Sequence, residues 1–241
     1  MKSRRRIPCR AVFLLAAVLL MANPRLTAHA ASAGGTPLSP PESRNELEAG
    51  NLRFRTGKTL HPRQDTRRRL ETARQGQAPI AGIVACSDSR AAVELLFDQG
   101  IGDLFVVRVA GNTTGEAVLG SLEYAVEHLH VPLLVVLGHT ECGAVNSVWQ
   151  GEEIHGTLAG LLAPLAPAVQ RVKSENPAGG AKDERELKRL VAIENVRQGL
   201  ATILKENPEM GKGVAEGKLL LLGALYDIES GEVAWLVPAG Q

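Results

Sequence analysis

At 241 residues, with 44% hydrophobic content, the chain can bury a substantial core in one large domain or two small ones. A formal charge of +1 leaves no global electrostatic footprint for nucleic acid or a membrane surface, and an aromatic content of 3% argues against stacking platforms for single-stranded nucleic acid. The core must be built mainly from Leu, Val, Ile and Ala.

Residues 1–30 have the layout of a secretory signal peptide: basic Lys2 to Arg6, apolar Ala11 to Ala22, and a small-x-small site at Ala28-His29-Ala30. The apolar run falls short of the roughly 20 residues a spanning helix needs, so the mature protein should keep no stable membrane span. The expected destination is the periplasm, with secretion as the alternative, and Arg4-Arg5-Arg6 raises a twin-arginine route. Residues 31–41 are rich in Gly, Ser and Pro and predict a flexible leader, followed by a single domain over 42–241.

The domain opens with two helical stretches, Glu42 to Thr56 and Pro62 to Gln75. Leu47 and Leu52 are buried candidates in the first, and Arg67-Arg68-Arg69 in the second predicts a solvated basic face. Ile80 to Cys86 is an apolar run that ends in Cys86-Ser-Asp-Ser-Arg90, the pattern of a buried strand opening onto a site. Asp103 to Asn112 predicts a second strand ending in a Gly-Asn-Thr-Thr-Gly loop that lacks the lysine of a phosphate-binding loop. Glu116 to His130 carries apolar residues at helical spacing, and Leu133 to His139 is a third strand; strand, helix, strand implies a right-handed crossover with parallel pairing. Thr140 is placed to cap a helix with Cys142 in its first turn, where the helix dipole favours a thiolate. Helices over Thr157 to Lys173 and Lys182 to Lys205 follow, separated by an Asn-Pro-Ala-Gly-Gly loop. A strand over Lys218 to Ile228 then turns into a short strand, Val233 to Val237.

Parallel α/β sheets gather functional groups just beyond the carboxyl ends of their strands, so two strand ends far apart in sequence can meet in space. Here those ends offer Cys86 and Asp88, then His139 and Cys142. Of three cysteines, Cys9 lies in the segment expected to be removed. From count alone, the remaining pair in an exported protein suggests a disulfide. Context reverses that, because His139 three residues before one thiol and Asp88 two residues after the other supply the N and O donors of a zinc site. Cys86, His139 and Cys142 are therefore the candidate ligands of one Zn2+, with Asp88 as a further candidate. The bland alternative for Asp88 and Arg90 is a helix cap with a surface ion pair. His61, His128, His130 and His155 are expected at the surface.

Cys86-Ser-Asp-Ser-Arg90 and His139-Thr-Glu-Cys142 together resemble the signatures of the β-class carbonic anhydrases, Cys-x-Asp-x-Arg and His-x-x-Cys. The resemblance runs from about Asn45 to Val237 and includes Gly102-Asp-Leu-Phe-Val-Val-Arg108, Ala110-Gly-Asn112 and Gly223-Ala-Leu-Tyr-Asp-Ile228. After Phe-Val-Val-Arg the family usually continues with Asn, where this chain has Val109.

The resemblance implies an α/β fold of four parallel strands plus an antiparallel edge strand, flanked by helices. It also implies a zinc enzyme that hydrates carbon dioxide reversibly to bicarbonate and a proton, through hydroxide formed on the metal. Two thiolates cancel the ion's charge, so its Lewis acidity should be weaker than at a site of three neutral histidines. Asp88 would orient the hydroxide and Arg90 would hold Asp88 off the metal; released, Asp88 could become the fourth ligand of a closed state. The resemblance further implies a homodimer or homotetramer in which Gln77, Phe105 and Tyr124 reach the substrate pocket from the neighbouring subunit, with Gly143 also lining it. No nucleic-acid partner is implied. Alternatives on the same residues are a carbon disulfide or carbonyl sulfide hydrolase, or a non-catalytic protein with a closed zinc site or a disulfide. Family members closed by bicarbonate use a tryptophan where this chain has Ile83, alongside residues matched by Arg108 and Tyr226; Ile83 and Gln77 imply the open-site type.

Overall fold

The computed structural model describes residues 38–177 and 183–236. The expected signal segment, most of the leader, and the loop beyond Pro177 lie outside them. The sheet has five strands, β1 (Ala81–Cys86), β2 (Leu104–Val109), β3 (Leu133–His139), β4 (Leu220–Tyr226) and β5 (Val233–Leu236), in the order β2-β1-β3-β4-β5. The first four are parallel and β5 runs antiparallel to β4, as the family resemblance implied.

The continuous apolar runs of β1 and β3 follow from their central place, where both faces of the sheet are covered and every residue is buried. Alternation divides them between two cores. Ile83, Ala85, Val135 and Leu137 face a core holding Leu47 of α1 (Pro40–Arg55) and Phe97, which follows the short helix α3 (Val93–Leu96). Val84, Leu134 and Val136 face Val118 and Leu122 of α4 (Glu116–Glu127) and Val196 and Ile203 of α8 (Glu184–Glu206). Two glycines let α8 settle onto the sheet: a Cβ at Gly138 would sit 2.8 Å from Val196 Cγ2, and one at Gly223 would sit 2.7 Å from Val196 Cγ1.

Several expectations are corrected. Leu52 is 51% exposed while Leu47 is fully buried, because five residues of helix turn the side chain by about 140°. In α2 (Thr66–Gln75) the middle arginine of the basic run points inward: Arg68 is buried, donating to the Ile101 carbonyl at 2.9 Å and pairing with Asp103 at 3.4 Å. The stretch expected as one helix over Thr157 to Lys173 is two, α6 (Gly156–Leu162) and α7 (Leu165–Glu175), broken at Pro164, which has no N–H to continue the ladder. α5 (Gly143–Gln150) starts later than expected, with Cys142 rather than Thr140 at its cap position, because Glu141 adopts a left-handed φ of 54° that no helix accommodates. α9 (Pro208–Ala215), capped by Asn207, lies between the helix expected to end at Lys205 and the strand expected from Lys218, where no element was assigned. His61, His128, His130 and His155 are exposed, as expected. Among the described residues, no helix is long and apolar enough to cross a membrane.

Candidate metal centre

Parallel pairing of Ala85 with Leu137 ends β1 and β3 side by side, which delivers Cys86 and His139 to the same rim of the sheet. Cys142 returns to that rim through the turn at Glu141. The sulfurs of Cys86 and Cys142 stand 4.0 Å apart, both cysteines are free and buried, and the donor atoms of Cys86, His139 and Cys142 lie within 4.8 Å of one another. Two sulfurs each about 2.3 Å from one tetrahedral ion would be separated by about 3.8 Å, so the pair has the spacing of co-ligands; a disulfide needs about 2.05 Å.

The imidazole is set in the form a metal requires. His139 Nδ1 stands 2.8 Å from the Thr140 carbonyl, which can only accept, so the proton sits on Nδ1 and Nε2 presents a lone pair. Nε2 is buried, with no hydrogen-bond partner among the described residues. An unsatisfied buried nitrogen facing two sulfurs is what a cation would complete. The thiols show the same incompleteness. The hydrogen bond from Cys142, with help from His139 and the amides of Asp88 and Gly111, holds Cys86 well below the ordinary thiol range against the effect of burial. That bond, burial and the neighbouring negative charge push Cys142 up. The Asp88 amide stands 3.4 Å and the Gly111 amide 3.3 Å from Cys86 Sγ. Gly111 reaches this position with a φ of 72°, which a side chain would strain.

Asp88 and Arg90 form a forked pair in which Asp88 is mostly covered and Arg90 is half exposed: Arg90 Nε donates to Oδ1 at 3.0 Å and Nη2 to Oδ2 at 2.7 Å, while the Arg90 amide donates to Oδ1 at 2.9 Å. The guanidinium holds the Asp88 carboxyl down at about 2, although burial pushes it up. Arg90 Nη2 also donates to the Glu141 carbonyl at 3.0 Å, tying the two strand ends together, and Asp88 Oδ2 lies 4.0 Å from His139 Nε2.

The residues expected to reach a neighbouring subunit's pocket lie on α4, β2 and the connection before β1. Gln77 is exposed in the connection between α2 and β1. Phe105 on β2 and Tyr124 on α4 have ring centres 6.1 Å apart, with Tyr124 49% exposed. Among the described residues no hydrogen bond or ring contact ties any of the three to the thiol–imidazole cluster. Gly143 opens α5 directly after Cys142, with open space where a Cβ would stand. Arg108 is committed to backbone, donating to the carbonyls of Cys86 at 3.0 Å and Asp88 at 2.6 Å. Ile83 is fully buried and Tyr226 is 4% exposed. Sequence reasoning missed the amide of Gly111 and the carbonyls of Thr140 and Glu141, since backbone groups leave no residue-type signal. It placed Arg108 by analogy with an anion site and did not foresee its clamp on the Cys86–Asp88 turn.

The carbonic anhydrase family profile matches residues 81–233, spanning the four parallel strands β1 to β4. The chain belongs to the β-carbonic anhydrase family. It is 39% identical to a carbonic anhydrase of Mycolicibacterium smegmatis over 78% of this chain and 88% of that protein. Carbonic anhydrase 2 of Mycobacterium tuberculosis is 41% identical over 77% of this chain and 87% of its own length. Among solved β-carbonic anhydrases, a tetrameric enzyme from Sordaria macrospora superposes with a TM-score of 0.64 at 29% identity, covering 80% of this chain and 93% of that one. A β-carbonic anhydrase of Aspergillus fumigatus superposes equally well, with a TM-score of 0.64 at 28% identity over 83% and 90% of the two chains. The family is zinc-dependent, and the sulfur spacing and the orphaned Nε2 of His139 fit that ion.

Proposed function

We propose that this protein hydrates carbon dioxide reversibly to bicarbonate and a proton, using one zinc ion held by Cys86, His139 and Cys142. The observation that carries this is the buried His139 Nε2, without a hydrogen-bond partner among the described residues, beside two free thiols whose separation fits a shared tetrahedral ion. When bound, zinc supplies an acidified water as the nucleophile. Three protein donors leave a fourth position for that water. Asp88, ionised by its pairing with Arg90, would accept a hydrogen bond from a water held at the site and so orient it toward the substrate carbon. Arg90 keeps both Asp88 oxygens engaged and so keeps the carboxylate from taking the water's place.

The working unit in this reading is a homodimer or higher oligomer, with Gln77, Phe105 and Tyr124 supplied to a neighbouring subunit's pocket. The tetrameric relative from Sordaria macrospora and the exposure of Gln77 and Tyr124 support it. An exported, periplasmic location rests on the composition of residues 1–30. The decisive experiment is metal analysis combined with a hydration assay on the purified mature protein, run beside sulfide release from carbon disulfide and carbonyl sulfide. One zinc per chain with fast hydration is expected; sulfide release without hydration would replace the substrate assignment, and a zinc-free protein would end the reading. Sedimentation of an active monomer would overturn the oligomer.

A further inference from the structure

His139 is oriented by a carbonyl, and a carbonyl is only as fixed as the peptide plane that carries it. The plane following Thr140 is flanked by the left-handed Glu141, a conformation that gives it no helical or strand ladder of its own. Thr140 is instead gripped from β4 and the residues just beyond. Its amide donates to the Tyr226 carbonyl at 2.9 Å, continuing the pairing of His139 with Tyr226. Its hydroxyl accepts from the Ile228 amide at 3.1 Å and donates to Asp227 Oδ2 at 3.3 Å. A carboxylate can only accept, so the direction of that last bond is set. The other carboxylate oxygen of Asp227 is itself held, by the amide and hydroxyl of Ser230, both at 2.7 Å.

Resting on the reading that the cluster binds zinc, we propose that Thr140 and Asp227 are positioning residues for the metal ligand His139. In this arrangement the turn after β4 fixes Asp227, Asp227 and the Ile228 amide fix the Thr140 hydroxyl, and the Thr140 carbonyl fixes His139 Nδ1–H. The lone pair of Nε2 is thereby aimed between Cys86 and Cys142. Neither residue touches the metal or the reacting atoms. An open cleft of about 310 Å3, lined in part by Thr140, Asp227 and Arg189, runs along this chain of bonds. Water from it can solvate Asp227 once the hydroxyl is gone, so Thr140→Val loosens the carbonyl without stranding a buried charge.

The test measures zinc affinity by competition with the chromophoric chelator 4-(2-pyridylazo)resorcinol, together with the melting temperature of each metal-free protein. Outer-shell partners of metal-bound histidines are worth roughly 10- to 100-fold in metal affinity. Thr140→Val should weaken zinc binding by about 10-fold or more, and Asp227→Asn by several-fold, since a side-chain amide keeps the turn with Ser230 but no longer accepts from the hydroxyl. Thr140→Ser, which restores the hydroxyl, should bind zinc within about 3-fold of wild type on the same scale. Wild-type affinity in both Thr140→Val and Asp227→Asn would overturn the proposal. So would a loss in Thr140→Ser equal to that in Thr140→Val, or zinc loss that only follows a fall in the metal-free melting temperature. A wild-type protein that binds no zinc would instead remove the reading beneath it, and this inference with it.

Discussion

Two regions of this molecule treat their buried charged and polar side chains in opposite ways. Around the connection from α3 to β2, each carboxylate is fully engaged. Asp98 accepts from the Leu60 amide at 3.0 Å, the His61 amide at 3.0 Å and Arg53 Nε at 2.6 Å. Asp103 accepts from Arg63 Nε at 2.6 Å and the Gly100 amide at 2.7 Å, with Arg68 at 3.4 Å. At the ends of β1 and β3, by contrast, a buried imidazole nitrogen has no hydrogen-bond partner among the described residues and two free thiols stand 4.0 Å apart. A buried polar atom left unmatched costs free energy, and at His139 that cost coincides with two thiols placed to share an ion with it. The satisfied region holds α1 and the loop before α2 against the sheet; the unsatisfied one is the candidate metal centre.

The sharpest way to break this contrast is to remove a donor from the incomplete region. Cys86→Ser or Cys142→Ser should lower zinc from one per chain to near zero and hydration to background, while the fold remains; full zinc by metal analysis would contradict the ligand assignment. In the satisfied region, Asp103→Ala should leave zinc content unchanged but lower stability by about 1–3 kcal/mol, because the Gly100 amide and Arg63 Nε lose their acceptor while Arg68 keeps its pairing with Glu71 at 3.3 Å. Urea unfolding measures this, and a loss below about 1 kcal/mol would show the pair to be no stronger than a surface contact.

Asp88→Asn and Arg90→Ala sit between the two regions in kind, since both residues are paired with each other and yet face the cluster. Each should reduce hydration on the order of 100-fold through lost orientation, with zinc retained; near wild-type rates would end their role. A smaller effect separates the regions by pH. Burial pushes the Asp98 carboxyl up, but the Leu60 amide, Arg53 and the His61 amide together bring it below its ordinary value. A carboxyl lowered on folding adds stability above its unfolded pKa of about 3.9, and this is lost as pH falls through the folded value. Asp98→Asn should therefore flatten the acid limb of the stability curve below about pH 4, measured by urea unfolding across pH. No change in that slope would remove Asp98 from the account.

The smallest expected effect is on regulation by bicarbonate. With Arg108 committed to the carbonyls of Cys86 and Asp88, and Ile83 buried in β1, little is left to bind an anion more tightly in a closed state than in an open one. Initial hydration rates against bicarbonate should show no sigmoidal fall near neutral pH; a steep one would reveal a closed state within reach.

The sequence by itself determined the strands and the donors. An apolar run ending in Cys-x-Asp-x-Arg and another ending in His-x-x-Cys announce two buried strands and their chemistry, because burial on both faces and metal coordination each demand particular residue types at particular spacings. It did not determine which partner each polar group would take. Arg68 looked like part of a solvated run and Thr140 like a helix cap. Neither residue type nor periodicity tells an arginine that Asp103 lies across the β1–β2 connection, or a threonine that Ile228 and Asp227 arrive from β4. Those pairings join residues 35 to 88 positions apart. Local pattern encodes which face of an element is buried, whereas the order and register of the strands decide what waits on the other side.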